Sequence, residues 1–335
     1  MFSNLMLFRI EAGWPQSLTE LQDALMQEAF SPCSATQQKA TGWVPVRGQN
    51  HGEFAESVAG QWIAKFTIET KAVPADALRR RVDELAQQIE ATTGRVPGKR
   101  EKKDLRDDAL QELLPHAFPK QSSNWVWLDP ESRILALDAA SPGRADEITS
   151  SLTRVAGRGF GLRLIQTHST PQSVMAHWLG SEEADAMPSD FALGRECELK
   201  GGGEEPAMVK FKRHDLSTDE VRQHLADGKL PIALAVNWED RVRFTLTEAL
   251  VLKKIGFDDS VFADAGDDDD RFDTDITIKT AELQALIASL LQALGGEQAP
   301  GALPGAAPTP AAALSAGATE ATGQAAEAWA EGPPF

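Results

Sequence analysis

The chain holds 335 residues (36.2 kDa), 42% of them hydrophobic and 25% charged. That is enough for two or three packing units around a real core, and the composition excludes a wholly disordered or collagen-like protein. The formal charge of −17 counts against a polyanionic partner at long range, but the acidity is concentrated. Asp258 to Asp275 contains nine aspartates against Arg271, and Glu297 to Phe335 carries four glutamates with no lysine or arginine. No apolar run reaches the roughly 18 residues of a membrane span, and Leu5 to Ile10, which includes Arg9, lacks a signal-peptide layout. Cys33 and Cys197 stand far apart with no ligand spacing, so neither a disulfide framework nor a zinc site is encoded. A reducing cytoplasm is the expected location.

In chain order, Ser17-Leu18-Thr19-Glu20 reads as a capping box before Leu21 and Leu25. A strand is expected over Trp62 to Glu69. From Pro74 to Pro119 the pattern is helix, interruption, helix. Leu78, Val82, Leu85 and Ile89 form one apolar stripe, Gly94 to Gly98 breaks it, and Leu105, Ala109, Leu110, Leu113 and Leu114 resume it. This is a helical hairpin projecting between two strands.

Trp125 to Leu128 and Arg133 to Leu137 flank an Asp-Pro-Glu-Ser turn and predict a β-hairpin. Ser141-Pro142 and Thr170-Pro171 mark helix starts. Strands follow over Leu162 to Gln166 and Val209 to Lys212, then a second capping box at Ser217-Thr218-Asp219-Glu220. Ile232 to Trp238 pairs with Arg241 to Leu246, and a terminal helix carries Leu283, Leu286, Ile287, Leu290, Leu291 and Leu294 before Gly295.

Hairpins mixed with helices, without regular β-α alternation, give an α+β fold with mixed or antiparallel sheets, packed helices and a projecting helical finger. The expected organisation is a first α+β region at 1–74 and 120–168, the basic finger at 75–119, a second α+β region with the terminal helix at 169–294, and a disordered Ala/Gly/Pro-rich tail at 295–335.

No phosphate loop, dinucleotide fingerprint, nucleophile elbow or zinc-protease motif is present, and the six histidines show no metal-ligand pairing. No catalytic residue and no cofactor is assigned. The consecutive aspartates Asp267 to Asp270 raise a metal-dependent nuclease as an alternative, since hard cations bind clustered carboxylates. Side chains fanning from neighbouring positions converge poorly, and a solvated acidic loop is the competing reading. Asp273 and Asp275 are alternatively caps for the terminal helix.

The basic clusters are more informative. Arg95, Lys99, Arg100, Lys102, Lys103 and Arg106 fall within twelve residues, opposed only by Glu101 and Asp104. In a helix, Lys99, Lys102, Lys103 and Arg106 share a face. Cations at a helix start oppose its dipole, so local stability does not explain them; an anionic partner does, and a solvated face is the plainer alternative. Lys210 and Lys212 alternate with Phe211 on a strand ahead of Arg213, which suits either a wall facing phosphate or a lysine-protected sheet edge. Arg241 and Arg243 alternate similarly with Val242 and Phe244.

Asn4-Leu5-Met6, Phe30-Ser31-Pro32-Cys33, Gly42-Trp43-Val44-Pro45, Leu113-Leu114-Pro115-His116-Ala117-Phe118 and Arg271-Phe272-Asp273-Thr274-Asp275, in this order, resemble the bacterial recombination-associated RdgC family from about Asn4 to Glu297. The resemblance implies a homodimer of crescent-shaped subunits closed into a ring, with double-stranded DNA in a basic central hole. It also implies sequence-independent binding, no catalytic activity, restraint of the RecA recombinase and a cytoplasmic, nucleoid-associated location. By likeness Arg95, Lys99, Arg100, Lys102 and Arg106 fall in the family's basic finger, Lys212 and Arg213 match its second basic site, and Phe118 corresponds to a subunit-contact residue. An acidic protein that touches the recombinase directly, with DNA incidental, is the other alternative.

Overall fold

The computed structural model describes residues 1–13, 17–48, 52–157, 159–181, 183, 186–203, 206–263 and 271–299. Twelve described strands form one sheet. They are β1 (Leu5–Ala12), β2 (Lys39–Val44), β3 (Ala55–Val58), β4 (Gln61–Lys71), β5 (Pro119–Asp129), β6 (Ile134–Leu137), β7 (Gly161–Leu164), β8 (Phe191–Lys200), β9 (Met208–Lys212), β10 (Leu230–Trp238), β11 (Val242–Thr247) and β12 (Val251–Phe257). The helices are α1 (Leu18–Met26), α2 (Ala75–Thr93), α3 (Lys99–Leu113), α4 (Pro142–Ala156), α5 (Pro171–Gly180), α6 (Asp219–Ala226) and α7 (Arg271–Ala293).

The strand order is β2-β4-β5-β6-β1-β12-β11-β10-β8-β9, with β3 beside β4 and β7 beside β1, and every ladder is antiparallel. The α+β class holds, and the two expected regions share this sheet. Their joint is narrow: β1 meets β12 through the register Leu5↔Leu252 and Met6↔Val251.

Around β1 the sheet is buried on both faces, which is why its strands read as continuous apolar runs. Met6, Ile10, Phe66, Ile68, Val126, Leu128, Leu135 and Leu137 pack with Leu21 and Leu25 of α1 and Ile148 and Leu152 of α4. The alternate residues Leu5, Leu7, Ile63, Trp127, Ile134 and Ala136 belong to the other core, with Ile276, Leu283, Leu286, Ile287 and Leu290 of α7. Across β8 to β11, among the described residues, only the second face is packed. Cys197, Leu199, Phe211, Leu234, Val236, Trp238, Val242, Phe244 and Leu246 enter that core beneath α5 and α6. Neither apolar cluster places a described helix over the opposite face.

Several local devices work as the sequence suggests. Ser17 Oγ accepts from Glu20 N at 3.1 Å and Thr170 Oγ1 from Ser173 N at 3.2 Å. Gly42 sits where β2 crosses the end of the α1 loop, with Trp43 N donating to Glu28 O at 2.9 Å and Phe30 N to Trp43 O at 2.8 Å. A Cβ there would lie 2.5 Å from Phe30 Cα, so only glycine fits. Asp129 closes the β5–β6 turn by accepting from Glu131 N, Ser132 N and Ser132 Oγ, and it also accepts from Gln284 Nε2 of α7 at 2.8 Å.

Other expectations are corrected. The second capping box does not form: the N-cap of α6 is Thr218, whose Oγ1 donates to Asp215 O instead of accepting from the helix. α7 begins at Arg271, so Asp273 and Asp275 are inside the helix rather than caps; Asp273 pairs with Arg47 and Asp275 with Lys279 at 3.1 Å. After α7 the chain runs back along the segment that follows β7, with Thr167 and Glu297 forming an antiparallel bridge. His168 N donates to Gly296 O at 3.1 Å, Gln298 N to Gln166 O at 2.8 Å, and Glu297 pairs with both Arg9 and Arg163. The rest of the Ala/Gly/Pro-rich segment, from residue 300, lies outside the described residues, as do Asp264 and Asp267 to Asp270.

Candidate nucleic-acid interface

The finger is built by α2 and α3, inserted between the adjacent strands β4 and β5. Gly94 ends α2 with φ 72°, a left-handed cap that glycine adopts without a Cβ penalty, and its N–H donates to Glu90 O at 2.8 Å. Gly98 opens α3 without a side-chain cap. The helices join through their apolar stripes, with Leu78, Leu105 and Ala109 buried. Arg81 of α2 clasps Glu112 of α3 through two 2.8 Å hydrogen bonds.

The charge on α3 runs against its dipole. Lys99, Arg100, Lys102, Lys103 and Arg106 occupy the N-terminal half, while Asp107, Asp108 and Glu112 occupy the C-terminal half, all exposed. None of those five cations forms an ion pair with a described carboxylate. Arg95 differs: Glu101 Oε2 and Oε1 accept from its guanidinium at 2.7 and 3.0 Å. That hydrogen bond, with the charge behind it, raises the Arg95 pKa and holds the Glu101 carboxyl below its usual range. Arg95 therefore braces the finger tip, and the cations with no described carboxylate partner are the other five.

Phe118 follows the finger's base, immediately before β5, and is 91% exposed. An aromatic ring this open in the single chain has no core role.

The second basic group lies at the opposite end of the sheet. Seven strand steps separate β5 from β9, roughly 34 Å of sheet at about 4.8 Å per step. β9 is the terminal strand of the described sheet, so Lys210 and Lys212 stand on an edge strand. Phe211 points into the core while Lys210 and Lys212 are exposed, as the alternation requires. Lys210 is already partnered, with Glu198 Oε1 at 2.9 Å from its Nζ. Lys212 stands in register with Glu196. Arg213 has φ 53°, and its carbonyl accepts from Arg195 Nη2 at 3.1 Å. Beneath this face the Cys197 thiol is pushed up to about 12, by burial first and the Glu198 charge second, and is inert at neutral pH. Arg241 is engaged by Glu282 of α7.

Lys254 joins this group without any signal in the sequence. It lies on β12, 58 positions from Glu196, whose Oε2 accepts from its Nζ at 2.9 Å. No spacing signals a pair made by strand order. Among the described residues no three His, Cys, Asp or Glu side chains are grouped to hold a metal ion, and no described helix is long and apolar enough to cross a membrane.

Residues 1–297 match a family model described as "Putative exonuclease, RdgC". Over 303 residues the chain is 35% identical to the recombination-associated protein RdgC of Dechloromonas aromatica (strain RCB), covering 88% of this chain and 98% of that protein. It is 35% identical over 302 residues to the protein of the same name from Herminiimonas arsenicoxydans, covering 89% and 99%. The Bordetella pertussis protein of that name is 31% identical over 301 residues, covering 89% and 99%. This match runs over nearly the whole length of both chains: the chain belongs to the RdgC family of recombination-associated proteins.

Proposed function

We propose that this protein is a non-enzymatic, sequence-independent binder of double-stranded DNA that works as a ring-shaped homodimer. In this reading two crescent-shaped protomers enclose the duplex, within a cytoplasmic nucleoid, and restrain the RecA recombinase by covering its substrate. The observation that carries it is the α3 charge pattern: five exposed cations with no partner among the described carboxylates, placed where the helix dipole disfavours them, on a projecting hairpin. Such groups neutralise phosphates and give affinity without reading bases. Lys212 and Arg213 supply a second contact, and Phe118 an anchor for the partner protomer. Cations lining a passage set the local potential around DNA even on an anionic particle, while the net charge slows approach.

The test compares a linear duplex with both ends blocked against the same duplex with free ends. A closed ring gives slower dissociation from the blocked duplex; equal rates at every salt concentration overturn threading. The family description names an exonuclease, and that second reading has its own assay: magnesium-dependent loss of end-labelled nucleotides. Intact ends after long incubation reject it.

A further inference from the structure

The open face of β8 to β12 carries an arrangement whose interpretation rests on the duplex-binding reading but goes beyond it. Lys254 belongs to β12 and Glu196 to β8, with β11 and β10 between them. At about 4.8 Å per strand that is roughly 14 Å, so both side chains must lie extended along the sheet to meet. They can because the floor between them is small. Ala233 and Thr245 line a depression of ≈ 110 Å³ with Glu196, Glu198, Lys210, Lys212 and Lys254, and Glu198 there already holds Lys210.

Lys254 reaches across from a left-handed backbone, φ 54°, and Arg213 flanks the far rim at φ 53°. At Lys254 this marks a β-bulge: Arg243 pairs with Gly256 and Thr245 with Lys253, so β12 holds one extra residue there and its side chain is re-aimed. The Lys254–Glu196 pair is in water, with side chains 71% and 44% exposed. An exposed pair of this kind adds little to stability, so stability does not account for Lys254 lying stretched across two strands to reach Glu196.

A carboxylate and a phosphodiester are both acceptor-only monoanions. We propose that in the free protein Glu196 holds the place of a DNA backbone phosphate, and that Lys254 is a phosphate contact that leaves Glu196 for the incoming phosphodiester. Glu196 is thereby a built-in competitor. Each time Lys254 changes partner, the carboxylate must take up a solvent cation, which offsets the counterion that the DNA releases.

The test measures binding of a mixed-sequence duplex of about 30 base pairs by fluorescence anisotropy over a salt series. It uses the full chain, Glu196→Gln, Lys254→Ala, the double variant Glu196→Gln/Lys254→Ala, and Lys212→Ala/Arg213→Ala. Removing one negative charge about 5 Å from a bound phosphate in water should tighten binding of Glu196→Gln by about fourfold. Its slope of log affinity against log salt should steepen by about 0.9. Lys254→Ala should weaken binding severalfold, and the double variant should return to the wild-type slope.

Affinity of Glu196→Gln at or below wild type, or an unchanged slope, overturns the proposal. A gain that survives intact in the double variant overturns the role of Lys254. Failure of the underlying reading is distinguishable: Lys212→Ala/Arg213→Ala, which leaves Glu196 in place, would then bind duplex as wild type does.

Discussion

Replacing Lys99, Lys102, Lys103 and Arg106 of α3 with alanine separates a binding role from a structural one, because the two predict opposite signs for stability. The four side chains are exposed and form no ion pair with a described carboxylate, so their loss breaks no contact that supports the finger. Alanine is also the strongest helix former, and removing cations from a helix N-terminus relieves unfavourable interaction with the dipole. The urea midpoint is therefore expected to stay or rise. Binding should move the other way. If the four contact four phosphates, the slope of log affinity against log salt becomes shallower by about 3.6. Between 50 and 200 mM salt, wild type should then lose about 150-fold more affinity than the variant. Fluorescence anisotropy with duplexes of unrelated sequence reads both slopes, and the drop should be the same for each sequence. Parallel salt dependences for wild type and variant would refute the finger as the phosphate contact; a lowered urea midpoint would show that the cations serve the fold.

Phe118→Ala should leave the melting temperature of the isolated protomer unchanged, since the ring is exposed in the single chain, while shifting sedimentation toward monomer by about 2 kcal/mol of association energy or more; an unaltered sedimentation profile counts against the contact. Gly42→Ala should cost about 1–3 kcal/mol in urea unfolding, because its Cβ would collide with the Phe30 backbone; wild-type stability would show that the loop yields freely. Burial opposes ionisation of Asp129, but the hydrogen bonds from Ser132, Gln284 and the Glu131 and Ser132 amides outweigh it and hold the carboxyl below its usual value. A depressed folded-state pKa gives stability that is present above the unfolded value near 3.9 and lost as pH falls through the folded one. Wild type should thus lose stability below about pH 4 more steeply than Asp129→Asn, and equal acid limbs would reject this role.

The finger was legible in the sequence because everything that makes it is local. Its apolar stripes repeat within single helices, Gly94 supplies the left-handed cap, and the cations are neighbours in the chain. The β5–β6 hairpin was legible for the same reason, with Asp129 bonding to groups two and three residues on. β8, β12 and the first half of α7 were not. β8 carries Gly194 and alternating charge, β12 is bent around left-handed Lys254, and α7 opens with Thr274, Ile276, Thr277, Ile278 and Thr280, a β-branched run that favours strand. Burial of Ile276 and Thr280 under the sheet overrides that preference.

Charge balance depended on topology in the same way. The sequence presents Lys210 and Lys212 as cations and says nothing of their counter-charges. Only the placing of β9 beside β8 gives Lys210 to Glu198, and only the order β8-β10-β11-β12 brings Lys254 within reach of Glu196. Side chains close along the chain are set by helix and turn periodicity; those that meet across a sheet are set by strand order, which no local pattern encodes.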